Sequence, residues 1–164
     1  MSEKPAKTGS NVIALGAFAD QEQFVTIRIG GQLFGIPVLL VHDVLQQQRI
    51  TRVPLAPPEV AGSLNLRGRI VTAINMRRRM GMDATTDKRT MAVVVENHNE
   101  LYSLIVDAVG EVLTLSSGDF ERNPPTLSGS WRDLSAGIFR LKDELMVVLD
   151  IGRLLNINKS GAAA

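Results

Sequence analysis

The chain has 164 residues, 45% of them apolar but only 4% aromatic, with no cysteine, two histidines and a formal net charge of +1. That suits one ordinary domain or two very small ones with a core of Val, Ile, Leu and Met, and it excludes disulfides and thiolate chemistry. The charge is uneven, with nine Lys/Arg against three Asp/Glu over residues 49–89 and six against ten over 91–164, but the bias is too mild to predict a nucleic-acid partner.

The segment Met1 to Asp20 holds an apolar run from Val12 to Ala19. Ser10 and Asn11 precede the run and Gly16 interrupts it, so residues 1–22 read as a flexible tail and not as a secretory signal. No stretch is long enough to span a membrane, and no direct membrane insertion is expected. From Phe24 the period is two: Phe24, Thr26 and Arg28 alternate with Val25, Ile27 and Ile29, which predicts a strand with one well-buried face. Gly30-Gly31 signals a hairpin, residues 33–36 return as a strand, and Pro37 ends it. Residues 41–49 fit a strand or a helical turn equally. Pro54, Pro57 and Pro58 mark a rigid connection. Residues 70–74 read as a strand. Residues 76–80 read as a one-turn helix, with Met76 and Met80 inward and Arg77, Arg78 and Arg79 toward water.

The order then recurs. Strands are expected over 91–96, 101–106 and 109–115, with Asn97-His98-Asn99 as the first turn. A longer link, 116–135, carries the single tryptophan, Trp131. Strands over 137–141 and 145–149 and a short helix over 151–155 close the pattern, and 158–164 is a second small tail.

The recurrence is an internal repeat. Residues 61–82 lie over 136–157 at an offset of 75, and 24–45 lie over 92–113 at an offset of 68. Gly62 falls on Gly137, Arg78 on Arg153, and Val41 on Val109. A repeated unit of this length implies two similar modules. About five short strands in each module would expose edges and one apolar face if flat, and closing each into a small barrel removes both problems. Two small β-barrels joined across a shared core are therefore expected, with short helices. The first covers about 23–85 and the second about 90–157, and exchange of terminal strands between them stays open.

Gly62 to Val71 is the most distinctive string, with Asn65 and Gly68 as turn residues around Arg67, whose guanidinium suits a carboxylate or carbonyl partner. Copy two exchanges the polar set, reading Arg140-Leu141-Lys142-Asp143. The triple arginine lacks stacking aromatics, so nucleic acid is not expected. Asp43, Asp107, Glu111 and Asp150 are scattered singly and read as solvated surface residues. His42 and His98 lack metal-ligand spacing, and neither a phosphate loop nor a nucleophile elbow occurs. An enzyme, a metal and a cofactor are therefore not expected. Leu39, Leu40, Val41, Val44 and Leu45 crowd beside Ile50 and Val53, and they suit an exposed partner patch or the seam between barrels equally.

From about Phe24 to Ile157 the chain resembles the CheW family of chemotaxis adaptors. The resemblance is carried by Phe34-Gly35-Ile36, Thr51-Arg52-Val53-Pro54, Gly62 through Gly68, Val106-Asp107 with Glu111-Val112, and Leu149-Asp150-Ile151 to Leu155. It implies two pseudo-symmetric five-stranded SH3-like barrels and a job without chemistry. Such adaptors link the cytoplasmic tips of chemoreceptors (methyl-accepting chemotaxis proteins) to the regulatory domain of the histidine kinase CheA, in the cytoplasm beside membrane receptor arrays. Carried over, a receptor groove would include Val41, Asp43, Gly62, Asn65, Arg67 and Val109, and a kinase face would include Leu45 and Ile50. The departures are Thr72-Ala73-Ile74-Asn75-Met76, where the family often has proline and Val-x-Asp-Leu, and Ser103, where glycine is common. The competing reading is an SH3-like regulatory or scaffold module of another two-component system.

Overall fold

The computed structural model describes residues 20–46, 48–84 and 89–157. Residues 1–19 and 158–164, which carry most of the expected tails, lie outside them. Strand β1 (Gln21–Ile29) turns through Gly30-Gly31, both at positive φ, into β2 (Gln32–Pro37). A 3-10 turn, Val38–Leu40, leads into β3 (Val41–Gln46), so the undecided segment starts as a strand. Then come β4 (Val60–Leu66), β5 (Arg69–Asn75) and helix α1 (Met76–Arg79). The second copy gives β6 (Met91–Asn97), β7 (Glu100–Val106) and β8 (Ala108–Ser116). Its longer link adds β9 (Phe120–Glu121) and α2 (Gly129–Arg132), before β10 (Ser135–Arg140), β11 (Leu145–Leu149) and α3 (Ile151–Leu154).

The strands form two sheets, ordered β8-β1-β2-β11-β10-β9 and β3-β6-β7-β5-β4. The two orders are the same pattern with the copies interchanged. β1 pairs with β2 and β8 as β6 pairs with β7 and β3, and the parallel joins β2–β11 and β7–β5 correspond. Each sheet therefore draws strands from both halves of the chain. The first has six strands where five were expected, because the longer link contributes β9.

The outer strands of each sheet are close neighbours in the chain. The turn Ser117–Asp119 joins β8 to β9 at the far end of the first sheet, and Thr51, just beyond β3, bridges to Ser63 on β4 in the second. The Thr51–Ser63 bridge thereby satisfies two backbone amides at the β4 edge of the second sheet.

Three apolar clusters follow. Phe24, Leu33, Phe139, Met146 and Val148 belong to the first sheet, and Leu64, Val71, Ala73, Val94 and Leu101 to the second. Between them a shared cluster joins Ile27, Phe34 and Ile36 to Val93, Val95 and Leu104, with Met76, Met80, Ile151 and Leu154 from the helices. Strands between two clusters bury both faces, which explains unbroken apolar runs such as Val93-Val94-Val95. The one-faced expectation for β1 is corrected for this reason: Phe24 (1% exposed) and Thr26 are buried on the face opposite Ile27.

The helices also obey the repeat. The Asn75 side chain caps α1 by accepting the Arg78 amide at 3.2 Å, and Asp150 caps α3 by accepting the Arg153 amide at 3.1 Å. Met76 and Met80 are buried as expected. Arg78 is exposed as expected, but the outward placing of Arg77 and Arg79 is a correction. Arg77 donates to both oxygens of Asp107 at 2.9 and 2.6 Å, and Arg79 donates to the Leu154 and Arg153 carbonyls at the C-terminal end of α3. Asp107 is likewise no solvated bystander, since it also accepts the Gly30 amide at 2.8 Å. Trp131 of the link packs edge-on to Phe34 and donates to the Met80 carbonyl, closing over the shared core.

Candidate functional site

The β4–β5 hairpin turns on Arg67-Gly68, both at positive φ (52° and 87°), as two-residue loops that match strand twist require. Glycine enters that region freely and arginine does not. Asn65 supports the turn by accepting the Gly68 amide on Oδ1 at 2.9 Å. The result projects Arg67, its side chain 74% exposed, from the end of the sheet toward Asp43, with Nη2 3.1 Å from Oδ2.

Asp43 reaches this place through a bulge. The pairing of β3 with β6 shifts between Val41 and Asp43, so His42 has no strand partner and the following side chain is re-aimed. The other oxygen of Asp43 accepts the Val44 amide at 2.8 Å. His42 Nδ1 lies 3.8 Å from Glu96 Oε1 on the neighbouring strand.

The matching corner of the first sheet has the same bulge, between Val109 and Val112 in β8, but different chemistry. Its turn is Lys142-Asp143, where neither residue takes positive φ, closed by the Leu141 amide donating to the Glu144 carbonyl. The ion pair there joins Glu144 to Arg28 of β1 through two hydrogen bonds of 2.7 Å. These bonds hold the Glu144 carboxyl below its usual range and raise the Arg28 guanidinium. Two copies of one corner thus present different charged groups.

Asp43, Asn65 and Arg67 come together, with Val41 just upstream in β3. Val41 and Val109, one in each sheet, are half-buried against the shared cluster. Gly62, at φ 151°, faces the Thr51 carbonyl and the Ile50 side chain. Leu45 and Ile50 are half-buried against the second sheet's own cluster. The crowd of apolar residues divides: Val41 turns to the seam, while Leu39, Val44 and Val53 are exposed.

The sequence reading missed Leu55, which stands fully exposed at φ 62°. The available signal was Pro54 before it, since a turn with proline at its second position often demands positive φ at its third. Among the described residues no group of three His, Cys, Asp or Glu is placed to hold a metal ion. What the corner offers is charge and hydrogen-bonding capacity at a sheet rim. No helix among the described residues is long and apolar enough to cross a membrane.

Comparison with known proteins gives the family. The family model described as CheW-like domain matches residues 23–159. The chain is 30% identical to a chemotaxis protein CheW of Helicobacter pylori over 134 residues, 81% of each chain. It is 28% identical to that of Treponema pallidum over 142 residues, 84% of each. Among solved structures it resembles the scaffolding protein TtCheW from Thermoanaerobacter tengcongensis, with a TM-score of 0.75 and 28% identity, covering 84% of this chain and 94% of that one.

Proposed function

The chain belongs to the CheW-like domain family, and from that premise we propose that it is a non-enzymatic adaptor of chemotaxis signalling. It couples the cytoplasmic tips of chemoreceptors to the regulatory domain of the histidine kinase CheA, and it works in the cytoplasm beside receptor arrays. The observation that carries this reading is the unequal pair of corners. One pseudo-symmetric frame presents Asp43 and Arg67 on its second sheet and Arg28 and Glu144 on its first. The frame repeats but the corners do not, which marks the Asp43–Arg67 corner as the one specialised for a partner. The receptor contact falls on Val41, Asp43, Gly62, Asn65, Arg67 and Val109, and the kinase contact on the segment of Leu45 and Ile50.

The test is a phosphotransfer assay in receptor membranes with CheA, with and without this chain. Kinase output and its control by attractant are expected to depend on the chain. Output and control that do not change on adding it sink the adaptor reading.

A further inference from the structure

The first residues of β1 have a partner on one side only. Gln21, Glu22 and Gln23 pair with Ser116, Leu115 and Thr114 of β8. On the other side β2 stops at Pro37, opposite Phe24, and the chain swings away through the turn Val38–Leu40. Among the described residues no strand pairs with Gln21 to Gln23 on that side. An open strand edge is a template for an extended segment.

The same edge forms one wall of a groove of ≈ 490 Å³, whose other walls are Pro37, Val38, Leu39 and Thr114. Leu39 is 95% exposed, and no residue of its turn is buried. Backbone donors and acceptors beside an exposed leucine suit an added strand that carries apolar side chains on one face.

The chain itself supplies such a segment. Val12 to Ala19 has eight residues without a charge, seven of them apolar, and Ile13, Leu15 and Ala17 would share one face of a strand. The next residue, Asp20, is pinned. Its carbonyl accepts the Ser117 amide at 2.7 Å and the Ser117 hydroxyl at 3.0 Å. The apolar segment is therefore tethered at the mouth of the groove. A tether this short sets an effective concentration in the millimolar range, which favours it over a separate chain.

We propose that residues 12–19 fold back on the open edge of β1 as an added antiparallel strand, with Ile13 and Leu15 against Val38 and Leu39. Docked in this way, the segment covers Leu39 and closes the edge to other chains. The adaptor reading is not needed for this inference.

The chain has no cysteine, so paired cysteines in the full chain read the contact directly. Ile13→Cys or Leu15→Cys, paired with Leu39→Cys, should form an intramolecular disulfide about tenfold faster than the same residue paired with Asp119→Cys. Asp119 is exposed and two residues from Ser117, near the same tether but outside the groove. Changing the other of the two, by Leu15→Asp or Ile13→Asp, should bring the rate down to that of the control, because a charge would then enter an apolar contact. In the cysteine-free chain, hydrogen exchange over residues 12–19 should be slowed by about tenfold, and Leu39→Asp should remove that protection. A disulfide no faster than the control, a rate that ignores the added Asp, or unprotected amides over 12–19 overturns the proposal. A disulfide formed mainly between two chains overturns it in favour of a second copy in the groove. Protection that appears only on adding receptor tips or CheA overturns it in favour of that partner.

Discussion

Asp43 and Arg67 meet at 3.1 Å although they come from opposite ends of one sheet's strand order, Asp43 from β3 and Arg67 from the β4–β5 turn. The contact exists because the sheet curls until its ends approach, and the Thr51–Ser63 bridge marks the same closure. Neither residue is deeply buried, so the pair holds little of the fold's stability.

Arg67→Ala should therefore change the melting temperature little, since an exposed pair contributes about 0–1 kcal/mol. Its effect should fall on receptor binding. Pull-down with receptor tips that is as strong as wild type would remove the Asp43–Arg67 corner from the receptor contact.

Gly62→Ala should behave in the opposite way. A Cβ at Gly62 would run into the Thr51 carbonyl, and φ 151° disfavours any side chain. A loss of about 2–4 kcal/mol is expected in urea titration. Weaker receptor binding in this variant would then follow from a damaged fold. A Gly62→Ala protein with wild-type stability would show that β4 and the segment at Thr51 can separate freely.

Asp107 sets an acid limit on stability. Hydrogen bonds from Arg77, set against burial that pushes the other way, and the Gly30 amide hold its carboxyl below the usual carboxylate range. A folded pKa lower than the unfolded one adds stability above the unfolded pKa, and that stability is lost as pH falls through the folded value. Asp107→Asn should cost about 1–2 kcal/mol at pH 7. The gap to wild type should narrow once pH drops below about 4. Urea titrations at neutral and acid pH give the measurement, and a gap that stays constant with pH would refute the assignment.

The exchange of strands between sheets predicts one unfolding transition. Far-UV circular dichroism and the fluorescence of Trp131, which sits over the shared cluster, should melt together. A fragment ending at residue 84 should stay unfolded, because β1 and β2 lack β8 and β11. A folded fragment, or two separated melts, would show that the halves are independent.

Much of this was legible in the chain, for local reasons. Period-two apolar runs mark the strands, and Gly30-Gly31 and Asn65 to Gly68 mark turns by conformational preference alone. The repeat carries the pseudo-symmetry because both copies solve the same packing problem. Arg77 and Arg79 were misread for the complementary reason. Their partners Asp107 and the Leu154 carbonyl lie far along the chain, and an arginine on a one-turn helix looks solvated until a distant element is brought to it.

By itself the sequence determined most of the strands, though not β3, β4 or β9, together with the two-copy order, a core of aliphatic residues and membership of a family. Only the tertiary structure decided which strands share a sheet, that β1 is buried on both faces, that Asp43 meets Arg67, and that Leu55 is held at positive φ in open solvent. Turn and strand preferences are set within a few residues. Pairing and burial are set by contacts between segments far apart in the chain, and their balance exists only once both halves are folded together.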